Sequence, residues 1–437
     1  MCYAIPAKLI EIKGQKGVID YFGEKRNVLL DLDDVKIGDY VYAQGGVMVS
    51  KVPEKEALEI LETWKEIFFE LKKTDQVLSR IDEDKLSANA LEILQKVNLR
   101  KSLKKEEMLS LFQLESQNEL SVLYEIANNV RQREHGNASC VHGIIEFSNY
   151  CQENCFYCGI RKGKEIDRYR MDIDEIVSIA KDAVDKHGFK ALVLQSGEDL
   201  WYDDEKLIKI VKEIRKMGVL IFLSIGSRSE ETYQKLFQAG ARAALLRFET
   251  SNEKIFSKLR PGTVLQDRVD LIKAIKKMGY VLATGFMLGL PGETAEDVVN
   301  NILLTRYLGP DMYSFGPLIP TQDTPLADVS NIPKELVLKT TAIARFVDSN
   351  SNILVTTALE TLDKTAKREA LLAGANSMMI NLTPMKYRPL YSIYDDRADK
   401  FQEVETGIKE TVDLLYELGR APTDLGVTKP PKTQPID

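Results

Sequence analysis

Five cysteines in 437 residues are too few to staple a chain of this length, which excludes a secreted disulfide scaffold. No uninterrupted apolar run reaches membrane-spanning length; the best stretches, such as residues 191–195, are strand-sized. The opening Met1-Cys2-Tyr3-Ala4-Ile5-Pro6 lacks the charged start and apolar core of a signal peptide. A basic surplus is missing too. Lys and Arg total 59 against 66 Asp and Glu, and the net charge of −7 removes the general electrostatic argument for a nucleic-acid partner. What remains is an ordinary globular balance, 44% apolar and 29% charged, long enough for two or three domains. The expectation is a soluble cytoplasmic enzyme, with no membrane and no nucleic acid among its partners.

The first fifty residues hold short apolar runs at 7–12, 16–20, 27–31, 40–43 and 47–51, separated by Gly14, Gly23, Gly38, Gly45 and Gly46. Strands so short and so spaced predict a small β-barrel. Pro53 then opens a helix carrying Ala57, Leu58, Leu61, Trp64, Ile67, Phe68 and Leu71 at helical spacing. The charged stretch 75–85 reads as a linker, and helical sequence follows to about residue 133. From 143 onward eight β-branched runs (143–147, 191–195, 220–224, 243–247, 282–288, 312–315, 353–357 and 377–380) alternate with helical patterns. Alternation on that scale predicts parallel strands with helical crossovers. A doubly wound sheet is the rival, but eight repeats with polar clusters at the strand ends favour a closed (βα)8 TIM-type barrel. The expected domains are 1–75, a small OB-like β-barrel with its helix; 76–133, a helical lead-in; 134–423, the (βα)8 barrel with a helical extension; and 424–437, a disordered tail.

Cys151, Cys155 and Cys158 form C-x3-C-x2-C directly after the first barrel strand, where such barrels build their active sites. Three thiolates in eight residues can wrap three irons of a 4Fe–4S unit and leave the fourth open to a small molecule. A structural zinc would want a fourth ligand, and no His or Cys follows Cys158 at suitable spacing. Three incidental thiols on a loop remain the bland alternative, which this placement disfavours.

C-x3-C-x2-C with Tyr157 before its last cysteine resembles the radical S-adenosylmethionine (SAM) superfamily. The resemblance implies a 4Fe–4S cluster whose open iron takes the amine and carboxylate of SAM, and a 5′-deoxyadenosyl radical. It implies a reductant too, such as ferredoxin or flavodoxin. Glu146-Phe147-Ser148-Asn149, Gln195-Ser196-Gly197-Glu198-Asp199, Leu246-Arg247-Phe248-Glu249-Thr250 and Lys258-Leu259-Arg260-Pro261 further resemble the HydE family of iron–iron hydrogenase maturases. So do Gly289-Leu290-Pro291-Gly292, Gly316-Pro317-Leu318-Ile319-Pro320, Thr356-Thr357-Ala358 and Asn381-Leu382-Thr383-Pro384 with Tyr387-Arg388. By that resemblance Tyr157, Ser196, Gly197, Glu198, Asp199, Arg247, Glu249 and Arg260 contact SAM. Thr356, Thr357, Tyr387 and Arg388 face the substrate. Alternatively, Arg247 and Glu249 simply pair with each other along one strand face, and a threonine pair suits any strand. Two departures stand out: Phe248 replaces the family's usual His, and no cysteines follow Cys158 for a second cluster.

The start of the chain, Met1-Cys2-Tyr3-Ala4-Ile5-Pro6 with Gly38-Asp39-Tyr40-Val41, resembles the HypC family of hydrogenase assembly chaperones. That resemblance makes Cys2 a candidate thiolate for an iron fragment. The family's imidazole is Gln44 here, a poorer iron ligand. The histidines, 135, 142 and 187, all lie elsewhere, and His142 reads as structural.

The combined expectation is a radical SAM enzyme of hydrogenase cofactor (H-cluster) maturation acting on a small iron-containing precursor, fused to a docking or delivery module and working beside other maturation proteins. The alternatives are a biotin-synthase-like or methylornithine-synthase-like enzyme acting on a small amino acid, and a non-enzymatic iron-fragment carrier. Replacing Cys151, Cys155 or Cys158 by Ala is expected to abolish both the 4Fe–4S absorbance and SAM cleavage. Cys140→Ser, outside the motif, is expected to leave four irons per cluster in place. Iron analysis and anaerobic absorbance spectra check both.

Overall fold

The computed structural model describes residues 3–81 and 88–426; Cys2 and the tail from 427 lie outside the described residues. Strands β1 (Ala7–Lys13), β2 (Lys16–Tyr21), β3 (Glu24–Leu29), β4 (Tyr40–Gln44) and β5 (Val47–Val52) close into a small barrel in the order β1-β2-β3-β5-β4. Alternate residues of β2 turn inward, as period-two strands require. Helix α1 (Glu54–Leu78) begins after Pro53 and lays Trp64, Phe68 and Leu71 inward, with Phe68 edge-on to Tyr3. Helices α2 (Ala88–Asn98), α3 (Lys105–Phe112) and α4 (Gln117–His135) follow. Ser116 caps α4 by accepting from the Glu119 N–H.

Asp75 does not sit in a linker. It lies in α1, 1% exposed, in a two-pronged pair with Arg131 of α4 at 2.7 and 2.8 Å. Arg420, near the far end of the chain, donates to Asn128 Oδ1, which Arg131 also engages. Buried charges survive only with such partners, so this cluster ties both ends of the chain together.

Eight parallel strands form the large barrel: Ala138–Ser148, Ala191–Ser196, Leu220–Ser224, Ala243–Leu245, Val281–Thr284, Met312–Ser314, Asn352–Leu354 and Ser377–Asn381. Each pairs with the next, and the eighth pairs with the first from Ser377 opposite Cys140 to Asn381 opposite Ile144. The sheet is therefore a closed barrel and not an open doubly wound one. The fourth, fifth and seventh strands end earlier than expected, at Leu245, Thr284 and Leu354. Thr356 consequently precedes helix Thr357–Leu362 instead of extending a strand. The expected tail also begins too early. Asp424 and Leu425 are buried, and Gly426 N–H donates to the Gly188 carbonyl.

The small barrel seals the base of the large one. The β4–β5 hairpin turns through Gly45 and Gly46, both at positive φ (56° and 79°), the backbone that a two-residue hairpin needs. A Cβ at Gly45 would lie 2.9 Å from Leu220, the first residue of the third barrel strand. Val47 and Val49 pack with Ile144, Ala191, Val193, Leu220 and Phe222 in the barrel's lower layer. Asp31 fastens the rim, accepting from Arg215 (2.7 Å) and Arg242 (2.9 Å). Gln44 is fully buried in this hairpin, with neither amide atom hydrogen-bonded.

Two glycines separate docking from backbone strain. Gly14 shares Gly45's positive φ but would place its Cβ in open space. Gly14→Ala is expected to cost about 1–2 kcal/mol from the left-handed backbone alone, and Gly45→Ala distinctly more. Thermal unfolding checks this; equal losses would show that the hairpin tip contributes nothing to docking.

Candidate active site at the mouth of the barrel

A cavity of about 310 Å³ opens at the C-terminal ends of the barrel strands, between Gln195, Ser196, Ser224, Ser314 and Asn381. Cys151, Cys155 and Cys158 line one side. Their loop is clamped at several points. Phe156 N–H donates to the Leu259 carbonyl and Gly159 N–H to that of Ile393, each at 2.8 Å. Arg168 gathers the carbonyls of Asn149, Ile160, Arg161 and Lys164. At Gly159 a Cβ would stand 2.0 Å from the Ser392 carbonyl, so only glycine fits.

Burial pushes the thiols up, Cys155 to about 11; Cys151 raises Cys155 further, and both raise Cys158. Three close thiols that resist ionisation singly are suited to a multivalent cation that takes all three. Glu198 N–H points at Cys151 Sγ across 3.4 Å. Gly197 must be glycine, since a Cβ there would meet the Tyr150 carbonyl at 2.2 Å.

Opposed charges line the wall beyond the thiols. Arg260, 5% exposed, faces Glu153 at 3.3 Å, Glu198 at 3.6 Å and the Tyr157 hydroxyl at 3.3 Å. Burial opposes its charge, but Tyr157, Cys155, Glu198 and Glu249 together hold its pKa up. Arg247 pairs with Glu249 at 3.2 Å, as i and i+2 allow, and both still line the cavity. Glu249 sits at φ 70°, a strained backbone for a residue with a side chain. Arg268, which the sequence did not single out, lies 3.8 Å from Glu198 and 3.9 Å from Glu249.

Other expected residues are placed elsewhere. Asp199 is locked by Arg170 at 2.7 and 2.9 Å and by Ser148, and does not line the cavity. Tyr387 stacks on Tyr169 and donates to Glu175. Arg388 is buried and donates to the Thr383 and Asn381 carbonyls. Neither reaches the cavity, because the chain after the eighth strand turns them into the barrel's outer packing. Phe248, at the family's His position, lies in the core against Phe286 and does not line the cavity.

In their place the cavity gains Glu146, Asn381, Tyr391, Tyr394, Arg397 and Asp399. Arg397 bridges Glu146 at 2.8 Å and Asp399 at 2.9 Å, while Asn381 donates to both carboxylates. Burial pushes Glu146 up despite Arg397; Asp399 is held below its ordinary range by Arg397 and Asn381 against the pull of burial. The sequence signal was the run Asp395-Asp396-Arg397-Ala398-Asp399, which reads as surface charge until the fold buries it. Thr356 and Thr357 do line the cavity.

Arg260 Nε and Thr356 Oγ1 are buried without hydrogen-bond partners. Clustered thiols and unspent polar atoms around one cavity fit an iron–sulfur cluster together with a zwitterionic, hydroxyl-rich ligand such as SAM.

Family comparisons agree with that fit. Residues 145–304 match the Radical SAM superfamily, 1–64 the HupF/HypC family, and 314–419 the Biotin and Thiamin Synthesis associated domain. The [FeFe] hydrogenase maturase subunit HydE of Thermotoga maritima is 39% identical over 332 residues, 76% of this chain and 95% of that one. The chain belongs to the HydE family.

As a HydE-family member it is a radical SAM enzyme, with a 4Fe–4S cluster and SAM as cofactors, which sets the carrier alternative aside. The 3-methylornithine synthase of Methanosarcina acetivorans is 29% identical over 73% of this chain and 90% of that one. Among solved structures, methylornithine synthase PylB superimposes with a TM-score of 0.67 at 26% identity, covering 76% of this chain and 97% of that one. HydG of Carboxydothermus hydrogenoformans gives 0.65 at 20% identity, over 82% and 85% of the two chains, a likeness of fold alone. No helix among the described residues of the HydE-family chain is long and apolar enough to cross a membrane.

The raised Cys155 thiol has a measurable consequence in metal-free protein. Only the thiolate is alkylated, so iodoacetamide labelling of Cys155 at pH 8 is expected to be slow and to climb about tenfold per pH unit toward pH 11. Peptide mass spectrometry follows it; a rate flat between pH 8 and 10 would contradict the burial.

Proposed function

We propose that this HydE-family enzyme matures a hydrogenase metallocofactor, directing a 5′-deoxyadenosyl radical at a small iron-containing precursor. The observation that carries the reading is its 39% identity to a hydrogenase maturase across 95% of that protein. The three cysteines and the arginine–carboxylate wall of the cavity suit it.

In this reading Cys151, Cys155 and Cys158 would hold the 4Fe–4S cluster beside bound SAM. When bound, cluster and cofactor supply one electron and, through cleavage of the C5′–S bond, the radical. The chain's own residues position and shield. The Gly197–Glu198 turn accepts from the ammonium group, with Ser196 and Tyr157 closing the pocket around it. Arg260 and Arg247 answer the carboxylate with charge-assisted hydrogen bonds, and Glu249 accepts from the ribose. Arg268 keeps Glu198 and Glu249 oriented. Thr356 and Thr357 face the substrate, and Glu146, Asn381, Arg397 and Asp399 take over the part expected of Tyr387 and Arg388.

A second reading rests on one observation: a guanidinium held between two carboxylates suits a small amino acid, and methylornithine synthases are among the relatives. The HypC-like module lies across the barrel base, so we assign it to recruiting a maturation protein and not to passing cargo directly into the mouth. Gln44 is buried in that interface and offers no open ligand position. A ferredoxin or flavodoxin is the expected electron donor.

Anaerobic incubation of reconstituted enzyme with reductant, SAM and either cysteine-bound iron carbonyl–cyanide complexes or lysine tests the two readings. Turnover of the iron complex supports the maturase; turnover of lysine alone sinks it. Arg260→Ala and Glu249→Ala are each expected to weaken SAM binding roughly ten- to hundredfold, the loss of a charge-assisted bond of about 1.5–3 kcal/mol. Iron content should not change. Equilibrium binding of SAM to the cluster-loaded variants decides this.

A further inference from the structure

At the end of the barrel opposite the active site, Cys140, His142 and Asp424 meet, their candidate ligand atoms all within 4.8 Å of one another. All three residues are buried, at 6%, 2% and 1% exposure. Cys140 and His142 are two apart on the first barrel strand and so share a face. Asp424 arrives from the other end of the sequence, just after Ala421–Pro422 pairs in parallel with Ala138–Ser139.

We propose that Cys140, His142 and Asp424 supply three of the four ligands of a site for one divalent first-row cation, zinc(II) or iron(II), at the base of the barrel, with a water filling the fourth position. The donor set is one thiolate, one imidazole and one carboxylate, a combination that borderline cations of this row accept. It is also balanced: the two anionic ligands and a dication sum to zero charge, so the buried site carries no net charge into the core.

The present contacts leave ligand capacity unused. His142 Nε2 faces Asp424 Oδ2 at 3.4 Å, too long for a strong charge-assisted hydrogen bond, and its buried Nδ1 has no hydrogen-bond partner. The outer shell is in place: Thr423 Oγ donates to Asp424 Oδ2 at 2.8 Å, orienting the carboxylate. Phe222 packs edge-on against the His142 ring, and the same apolar layer contains Val47 and Val49 of the β4–β5 hairpin, which close it from solvent. The site lies apart from the Cys151–Cys158 cluster, since the first strand from His142 to Ser148 separates the two and spans about 20 Å at ~3.3 Å per residue. It is therefore a staple between the barrel's first strand and the segment that carries Asp424, and takes no part in radical chemistry.

The test uses cluster-loaded full-length enzyme. Zinc(II) or cobalt(II) is added anaerobically, loose metal is removed by gel filtration, and retained metal is counted by mass spectrometry. Wild type is expected to keep one zinc or cobalt per chain beyond its cluster iron, with the high-spin cobalt(II) resonance of a thiolate-ligated site. Cys140→Ser, His142→Gln and the near-isosteric Asp424→Asn should each lower retention at least tenfold, with SAM cleavage unchanged. Wild type retaining neither metal, or variants retaining as much as wild type, would overturn the proposal. The wild-type Tm guards against misfolded variants: it should rise with zinc and fall with chelator, and a Tm indifferent to both overturns the site as well.

Discussion

Closure of the parallel sheet by its first and eighth strands is the constraint on which the rest of the molecule depends. The first strand is buried along all eleven residues and pairs on both sides. From it hang Glu146 in the cavity, Ser148 on Asp199, and the cysteine loop that begins three residues later. Were the sheet open, Asn381 could not reach Glu146 and the loop would lose the Ile393 carbonyl that pins Gly159.

The second organising fact is electrostatic. The cavity is lined by buried guanidinium groups, each answered by carboxylates at or slightly beyond hydrogen-bond distance. Such a wall is expensive to bury unless paired; its pairs are loose at Arg260 and Arg268 and tight at Arg397, and tight again behind the wall at Arg170. Arg260 faces Glu198 at 3.6 Å, whereas Arg170 grips Asp199 at 2.7 Å. Looseness marks the groups with bonding capacity left over. The strained backbone at Glu249 belongs to the same set.

Much of this was legible in the sequence, for definable reasons. Strand alternation and the C-x3-C-x2-C spacing are local signals, and they placed the barrel and the thiols. The direction of a side chain beyond a strand end is not local. Tyr387 and Arg388 carry a family motif yet pack outward, while Arg397 and Asp399, in a run that reads as solvent-exposed charge, line the cavity. Asp75 looked like linker charge because its partner Arg131 lies 56 residues away. The place of the small barrel depended on an apolar stripe, Val47 and Val49, whose other half comes from seven separate strands.

The buried knot of Asp75, Arg131, Asn128 and Arg420 bears on how the chain is made. Asn128 waits 292 residues for Arg420, roughly 15–60 s of synthesis at about 5–20 residues/s. The small barrel can fold at once, but the helical layer above it cannot finish its ion pairing until Arg420 has been made. Iron–sulfur assembly on the nascent chain would meet a loop whose clamps at Leu259 and Ile393 have not yet been made. A fully clamped cysteine loop therefore has to wait for residue 393, by which point all eight barrel strands have been made.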